Sequence, residues 1–218
     1  MTYALSDIHG YLSIYEKVAA ALGPEDRVIF LGDAGDRGPN GWECIKAIWN
    51  DDRFNYIKGN HEDMTANAML GDHWSEEVSI YNGGQNTLDT WHAEGADRKW
   101  ARRLRDLPYV AVYKNAQEQT IYLSHAGFSP GTDVDEKQCL WDREHIFDPV
   151  STFGDGIVIH GHTPVRSIRS IPSKDWSKPY WYAGNQKCDI DLCTYRSGKA
   201  CLLNLDTWEY EVVEAKDY

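Results

Sequence analysis

The stretch Arg27-Val28-Ile29-Phe30-Leu31-Gly32-Asp33-Ala34-Gly35-Asp36-Arg37-Gly38 passes from an unbroken apolar run into a glycine-rich loop carrying two carboxylates and an arginine. A short apolar run bounded by turn residues reads as a buried strand, and the loop after it sets polar side chains at the strand's carboxyl end. Upstream, Tyr3 to Ser6 reads as a second buried strand. It is followed by a helix with Tyr11, Ile14, Tyr15, Val18 and Leu22 on one face, stopped by Gly23-Pro24. Downstream, a helix with Trp42, Ile45, Ile48 and Trp49 inward leads to a third strand, Phe54 to Lys58. Strands alternating with helices are the mark of parallel β-α-β units, so the fold class is α/β.

Further along, Glu62 to Pro108 loses β-branched runs, carries Trp74, Trp91 and Trp100 and turns at Asn82-Gly83-Gly84; it reads as a helical cap insertion, residues 62–108. Strands resume at Tyr109 to Tyr113, Thr120 to Leu123 and Ile157 to Ile159. From about Tyr180 the pattern is of antiparallel strands around a turn at Ser197-Gly198. A length of 218 residues suits a single domain, 1–218, with that insertion.

Hydrophobic residues at 42% and charged residues at 26% exclude a disordered chain. Lys and Arg number 22 against 34 Asp and Glu, a net charge of −12, which repels a phosphate backbone and argues against nucleic-acid partners. No basic segment followed by an apolar stretch opens the chain, and no run approaches the ~20 apolar residues of a membrane span. Cys44, Cys139, Cys188, Cys193 and Cys201 lack paired spacing and suit reduced thiols. A cytoplasmic protein without membrane partners is expected.

Metal-capable side chains fall at five strand ends. Asp7 and His9 follow the first strand, Asp33 the second, Asn60 the third, His125 follows Ile121 to Ser124, and His162 follows Ile157 to Ile159. That edge of an α/β sheet is where sites assemble, because the loops leaving it converge. Two Asp, three His and an Asn, with no thiolate, suit Mn²⁺, Fe or Zn²⁺ in a catalytic setting. Six side chains exceed what one ion can use while keeping room for water and substrate. Two divalent ions sharing a carboxylate solve the count, and such pairs activate water for in-line displacement at phosphorus. Arg37 and Arg143, the latter in Trp141-Asp142-Arg143, offer forks for phosphate oxygens. His61 can protonate a leaving alkoxide, with Asp36 orienting its ring. Glycines beside the ligands (Gly10, Gly32, Gly59, Gly161) let backbone approach closely.

Taken singly these features have plain readings. Asp7-Ile8-His9-Gly10 is a turn into a helix, Asp36-Arg37 a surface ion pair, Asn60 a helix cap, and His125 and His162 satisfied core histidines. Their joint occurrence, in order and at strand ends, is what outweighs them. Elsewhere the plain readings win: Cys188 and Cys193 are strand residues, Arg102, Arg103 and Arg105 a solvated helix face, the tryptophans mostly packing, and His160 has no assigned role.

Asp7-Ile8-His9-Gly10, Gly32-Asp33 to Asp36-Arg37-Gly38, Gly59-Asn60-His61-Glu62, Ser124-His125-Ala126-Gly127 and Gly161-His162-Thr163-Pro164 resemble, in order, the motifs of phosphoprotein phosphatases within the calcineurin-like metallophosphoesterases. The resemblance is greatest to the bacterial and phage lambda-type serine/threonine phosphatase branch. Gly35 stands where an aliphatic residue is usual, and Lys58 where many members have Arg. The resemblance implies a sandwich of two mixed β-sheets flanked by helices. It further implies that Asp7, His9 and Asp33 hold one ion, with Asp33 bridging to a second ion held by Asn60, His125 and His162. Arg37 and Arg143 would bind phosphate, Asp36 and His61 would form the acid pair, and Mn²⁺ is the foremost metal.

The expected function is a metal-dependent phosphomonoesterase, a serine/threonine protein phosphatase in which a metal-bridged hydroxide attacks phosphorus directly, acting on phosphoprotein or a small phosphorylated substrate. The rivals are a dinucleoside polyphosphate (diadenosine tetraphosphate) hydrolase on the same metals and a non-catalytic phosphopeptide-binding regulator.

Overall fold

The computed structural model describes residues 1–128, 134–147, 156–168 and 170–218. In chain order it places β1 (Thr2–Leu5), α1 (Leu12–Ala21), β2 (Arg27–Phe30), α2 (Gly41–Trp49), β3 (Phe54–Tyr56), α3 (Asn60–Met69), α4 (His73–Tyr81), α5 (Gln85–Ala93) and α6 (Lys99–Arg105). Then come β4 (Val110–Lys114), β5 (Thr120–Ser124), α7 (Glu136–Trp141), β6 (Ile157–His160), β7 (Tyr180–Tyr182), β8 (Lys187–Asp189), α8 (Thr194–Ser197), β9 (Lys199–Asn204) and β10 (Tyr210–Glu214).

These strands make an α/β fold of two mixed five-stranded sheets, ordered β10-β9-β1-β2-β3 and β4-β5-β6-β8-β7 and flanked by helices. In the first sheet β1, β2 and β3 run parallel, and β9 and β10 add antiparallel edges. In the second, β5, β6 and β8 run parallel between antiparallel β4 and β7. Strand alternation divides the core. Ala4, Ile29, Leu31, Ile121, Leu123, Ile157, Ile159, Cys201 and Leu203 meet between the sheets. Their neighbours Leu5, Val28, Phe30 and Leu202 face the helices with Ile14, Val18, Trp42, Ile45 and Ile48.

β2 and β3 end one residue before their apolar runs do, while β1 stops at Leu5, one residue short of the expected Ser6. Leu31 still donates to Leu5 O and Ile57 to Phe30 O, but beyond them the backbone leaves the ladder for the ligand loops. The hairpin expected around Ser197-Gly198 is corrected. Antiparallel pairing occurs between β7 and β8 and between β9 and β10, while α8 and Gly198 carry the chain from one sheet to the other. The reason is that β8 continues the parallel second sheet beside β6, so the chain must change layers before β9.

The segment expected as a cap forms α3 to α6. Leu88, Trp91, Ala101 and Leu104 join Trp42 and Ile48 in the core on the helical face of the first sheet, and α5 packs on α2. Trp74 departs from the packing reading and lies 72% exposed, since α4 turns that residue outward. Arg102, Arg103 and Arg105 are exposed, as a solvated face requires. All five cysteines are free and buried. Among the described residues no helix is long and apolar enough to cross a membrane.

Candidate metal centre

The parallel strands of both sheets point their carboxyl ends at one seam. His162 N donates to Asp7 Oδ2 at 3.1 Å, and His125 Nδ1 donates to Leu31 O at 2.8 Å, so the seam is closed by hydrogen bonds from the second sheet's loops to the first sheet. Glycine is required on both sides: Gly32 has φ +90° and a Cβ there would overlap Gly59 N, while a Cβ on Gly161 would overlap the Asp7 carboxylate. Asp7, His9, Asp33, Asp36, Arg37 and His162 all take left-handed backbone, with φ between 44° and 67°. Such conformations cost energy in non-glycine residues and concentrate where side chains are aimed for function.

Asp33 sits at the centre. Its Oδ2 lies 3.4 Å from His125 Nε2, 3.7 Å from His9 Nε2 and 3.8 Å from His61 Nε2. The donor atoms of His9, Asp33 and His61 lie within 4.8 Å of one another, as do those of Asp33, His125 and His162, so Asp33 is common to both groups. Asp7 stands beside the first, its Oδ1 3.9 Å from His9 Nε2. Asn60 stands beside the second, its Oδ1 2.9 Å from His125 Nε2. All these side chains are buried, whereas Arg37 and Arg143 are exposed at the mouth. Arg143 Nη1 donates to His162 O and to Thr163 Oγ1, both at 3.2 Å. Arg37 spreads its fork over two imidazoles, Nη1 to His9 Nε2 at 2.8 Å and Nη2 to His61 Nε2 at 2.9 Å. His61 Nδ1 in turn meets Asp36 Oδ2 at 2.6 Å. The sequence-expected residues thus come together in one connected cluster.

Charge follows this geometry. Burial opposes a charge on His125, but the carboxylates of Asp33, Asp7 and Glu62 outweigh it and raise the imidazole to about 9. His61 is raised in the same sense, with Asp33 and Asp36 overcoming burial. Burial lowers His162, helped by His125 and Arg143, and lowers His9, helped by Arg37. Burial pushes Asp33 up, yet His125, His61 and His9 hold it well below the usual carboxylate range.

The donor set fits a divalent metal. With the Nδ1 proton of His125 given to Leu31 O, its Nε2 faces Asn60 Oδ1, His162 Nδ1 at 3.1 Å and Asp33 Oδ2. Acceptor lone pairs converging on one point are stable only around a proton or a cation. His162 Nε2 is itself buried and, among the described residues, has no hydrogen-bond partner.

Three neighbours carried no role in the sequence reading. Glu62 accepts from Asp33 N, Ala34 N, Gly59 N and Tyr56 Oη, at 2.7 to 2.8 Å, and so ties the second and third ligand loops together. Its signal was a Glu three residues beyond the helix cap, and that cap is Gly59; Asn60 is the first helical residue, its side chain turned to His125 rather than capping. Asp191 lies beyond β8, at a sixth strand end; its carboxylate accepts from Cys193 N at 2.6 Å, and its own N–H donates to Asp189 Oδ1 at 3.0 Å. Tyr195 stacks its ring 4.4 Å from Arg37 Cζ, and no spacing in the sequence announced it. His160 turns away from the seam and meets Tyr182 Oη at 2.7 Å.

A fold and a site of this kind define a hydrolase of phosphate esters. The chain belongs to the calcineurin-like phosphoesterase family, whose model matches residues 2–198. It is 28% identical over 175 residues to serine/threonine-protein phosphatase 1 of Salmonella typhimurium, covering 75% of this chain and 79% of that one. It is 25% identical over 201 residues to the asymmetrical bis(5'-nucleosyl)-tetraphosphatase PrpE of Anoxybacillus flavithermus, covering 76% and 79%. A crystal structure provisionally described as a diadenosine tetraphosphatase superposes with a TM-score of 0.68 at 14% identity, over 100% of this chain and 94% of the other, and shares the fold.

Proposed function

We propose that this phosphoesterase is a metal-dependent phosphomonoesterase of the serine/threonine protein phosphatase kind, working in a reducing cytoplasm as one catalytic domain. The observation that carries the reading is the single carboxylate, Asp33, common to two groups of buried donors. Asp7, His9 and Asp33 would hold one divalent ion and Asp33, Asn60, His125 and His162 a second, with Mn²⁺ favoured and Fe or Zn²⁺ also suited to these ligands. When bound, such a pair activates water and neutralises charge developing at phosphorus.

The rest is the chain's own work. The Arg37 fork and Arg143 clamp the phosphate oxygens from the mouth, and their exposure lets a substrate reach them. His9 Nε2 has one lone pair, so if it held a cation Arg37 would be left to the substrate. His61 is held by Asp36 at Nδ1 and raised in pKa; once Arg37 has turned from His61 Nε2 to the phosphate, that nitrogen can carry a proton and give it to the leaving oxygen. Support for a phosphoprotein substrate comes from the 28% identical relative; a second reading, a dinucleoside polyphosphate hydrolase, is supported by the tetraphosphatase relative at nearly equal coverage.

A phosphate-release panel with Mn²⁺, comparing phosphoserine and phosphothreonine peptides, phosphotyrosine, nucleotides and diadenosine tetraphosphate, separates the two. Phosphopeptides are expected to give the highest kcat/KM, and a clear preference for diadenosine tetraphosphate transfers the conclusion to the second reading. Asp33→Asn and His162→Ala are each expected to abolish Mn²⁺-stimulated aryl phosphate hydrolysis. Near-normal rates in both reject the site.

A further inference from the structure

The mouth of the site carries a cation that this chemistry does not use. Tyr195, on α8, sets its ring edge-on to His9 at 5.8 Å and 4.4 Å from Arg37 Cζ. The next residue, Arg196, places its own Cζ 5.4 Å from the same ring centre. Arg196 is exposed, and among the described residues its guanidinium meets this ring and no carboxylate, in a chain where acids outnumber bases 34 to 22. Its place is fixed from behind, since Tyr218 Oη donates to Arg196 O at 2.8 Å and the Tyr218 ring fills the space beside Gly198.

A guanidinium stacked on an aromatic face is oriented, weakly hydrated and always charged, and its fork edge stays free for an oxyanion. Because Arg37 and Arg196 lie over one ring, their guanidinium carbons are about 10 Å apart or less, within the reach of neighbouring phosphates on one substrate. We propose that Tyr195 and Arg196 form a second anion position at the mouth, next to the Arg37 position for the scissile phosphate, which selects substrates carrying another phosphate close to the one cleaved. This rests on the phosphoesterase reading above and sharpens its substrate class. The second phosphate is either the next link of an oligophosphate or a neighbouring phosphorylated residue, and the chemistry that recognises it is the same. Arg196 contacts it, and Tyr195 is a positioning residue that aligns both forks.

The test uses inert probes, so it does not depend on turnover. Calorimetric titration at buffered free Mn²⁺ compares methylphosphonate with methylenediphosphonate on the wild type, Arg196→Gln, Tyr195→Phe and Tyr195→Leu. The wild type is expected to prefer the diphosphonate, and Arg196→Gln to lower that preference about tenfold, the worth of one charge-assisted contact. Tyr195→Leu lowers it as well, while Tyr195→Phe, which keeps the ring, retains it. No preference in the wild type, or the same preference in Arg196→Gln, overturns the proposal. A kinetic arm names the source: Arg196→Gln raises KM more than it lowers kcat, for diadenosine tetraphosphate if the phosphates share a chain and for a doubly phosphorylated peptide if they do not. Should the wild type hydrolyse none of these, the function proposed above fails, and the binding preference alone decides for or against the second anion position.

Discussion

His125 and His9 present the same atom, Nε2, to Asp33 from unlike surroundings. His125 is wholly buried, anchored at 2.8 Å to a carbonyl of the opposite sheet, and its free nitrogen faces an amide oxygen, a carboxylate and another imidazole within 3.4 Å. His9 is held more loosely, at 3.2 Å from Gly35 O, with its nearest carboxylate oxygens at 3.7 and 3.9 Å and an exposed arginine at 2.8 Å. The second-sheet half is closed around a point, and the first-sheet half shares its donors with the mouth. On the function proposed above, the second-sheet half would retain an ion and the first-sheet half would couple one to the substrate.

Removing ligands tests this most severely. His125→Ala is expected to lower kcat/KM by about a thousandfold or more, because a metal's share of transition-state stabilisation is several kcal/mol. His9→Ala should lose activity too but weaken Mn²⁺ affinity about tenfold less, as read by calorimetry. Equal losses of affinity erase the distinction between the halves. Next in size, His61→Asn should cost an alkyl phosphate about a hundredfold more than nitrophenyl phosphate, whose leaving group needs little protonation. Equal losses show that His61 serves the first half only as scaffold.

Glu62→Gln addresses the first half's framework. A buried carboxylate with four donors becomes an amide that can satisfy only part of them, so a loss of about 3 kcal/mol is expected, seen as a fall in Tm of roughly 10 °C. An unchanged Tm shows that the ligand loops do not depend on it. The smallest effect belongs to Gly35→Ala. A Cβ there would come within 2.9 Å of the Ile45 terminal methyl, which can shift, so the cost should stay near about 1 kcal/mol in a denaturant melt. A larger loss means that the loop under His9 is packed as tightly as the second half.

Much of this arrangement was legible in the chain. Apolar runs such as Val28 to Leu31 announce a strand whatever surrounds them, and a ligand after each run announces the seam, because parallel strands share an end. The strand limits were less legible, because Leu31 and Ile57 are as apolar as their predecessors and only the turn toward the ligands takes them out of the ladder. Ser197-Gly198 misled because a turn signal does not say which sheet the next strand joins. Asn60 has a residue type that suits capping, yet its amide is drawn to His125, a partner distant in sequence. Glu62 has the spacing of a capping box, which does not announce its bonds to Asp33 N and Ala34 N, and Tyr195 has no spacing signal at all, since what they touch is created only when separate loops meet. The departures from family usage also find local reasons: Lys58 donates to Arg105 O at 2.8 Å and pairs with Glu136, tying the lead-in of α3 to α6 and α7.

The left-handed backbone shared by Asp7, His9, Asp33, Asp36, Arg37 and His162 has a consequence for anyone who evolves this protein in the laboratory. Each such position favours glycine on conformational grounds by about 1 kcal/mol or more. A library scored on heat resistance alone will therefore enrich glycine at these sites and deliver sturdy, inert variants. Screening has to weigh turnover together with survival from the first round.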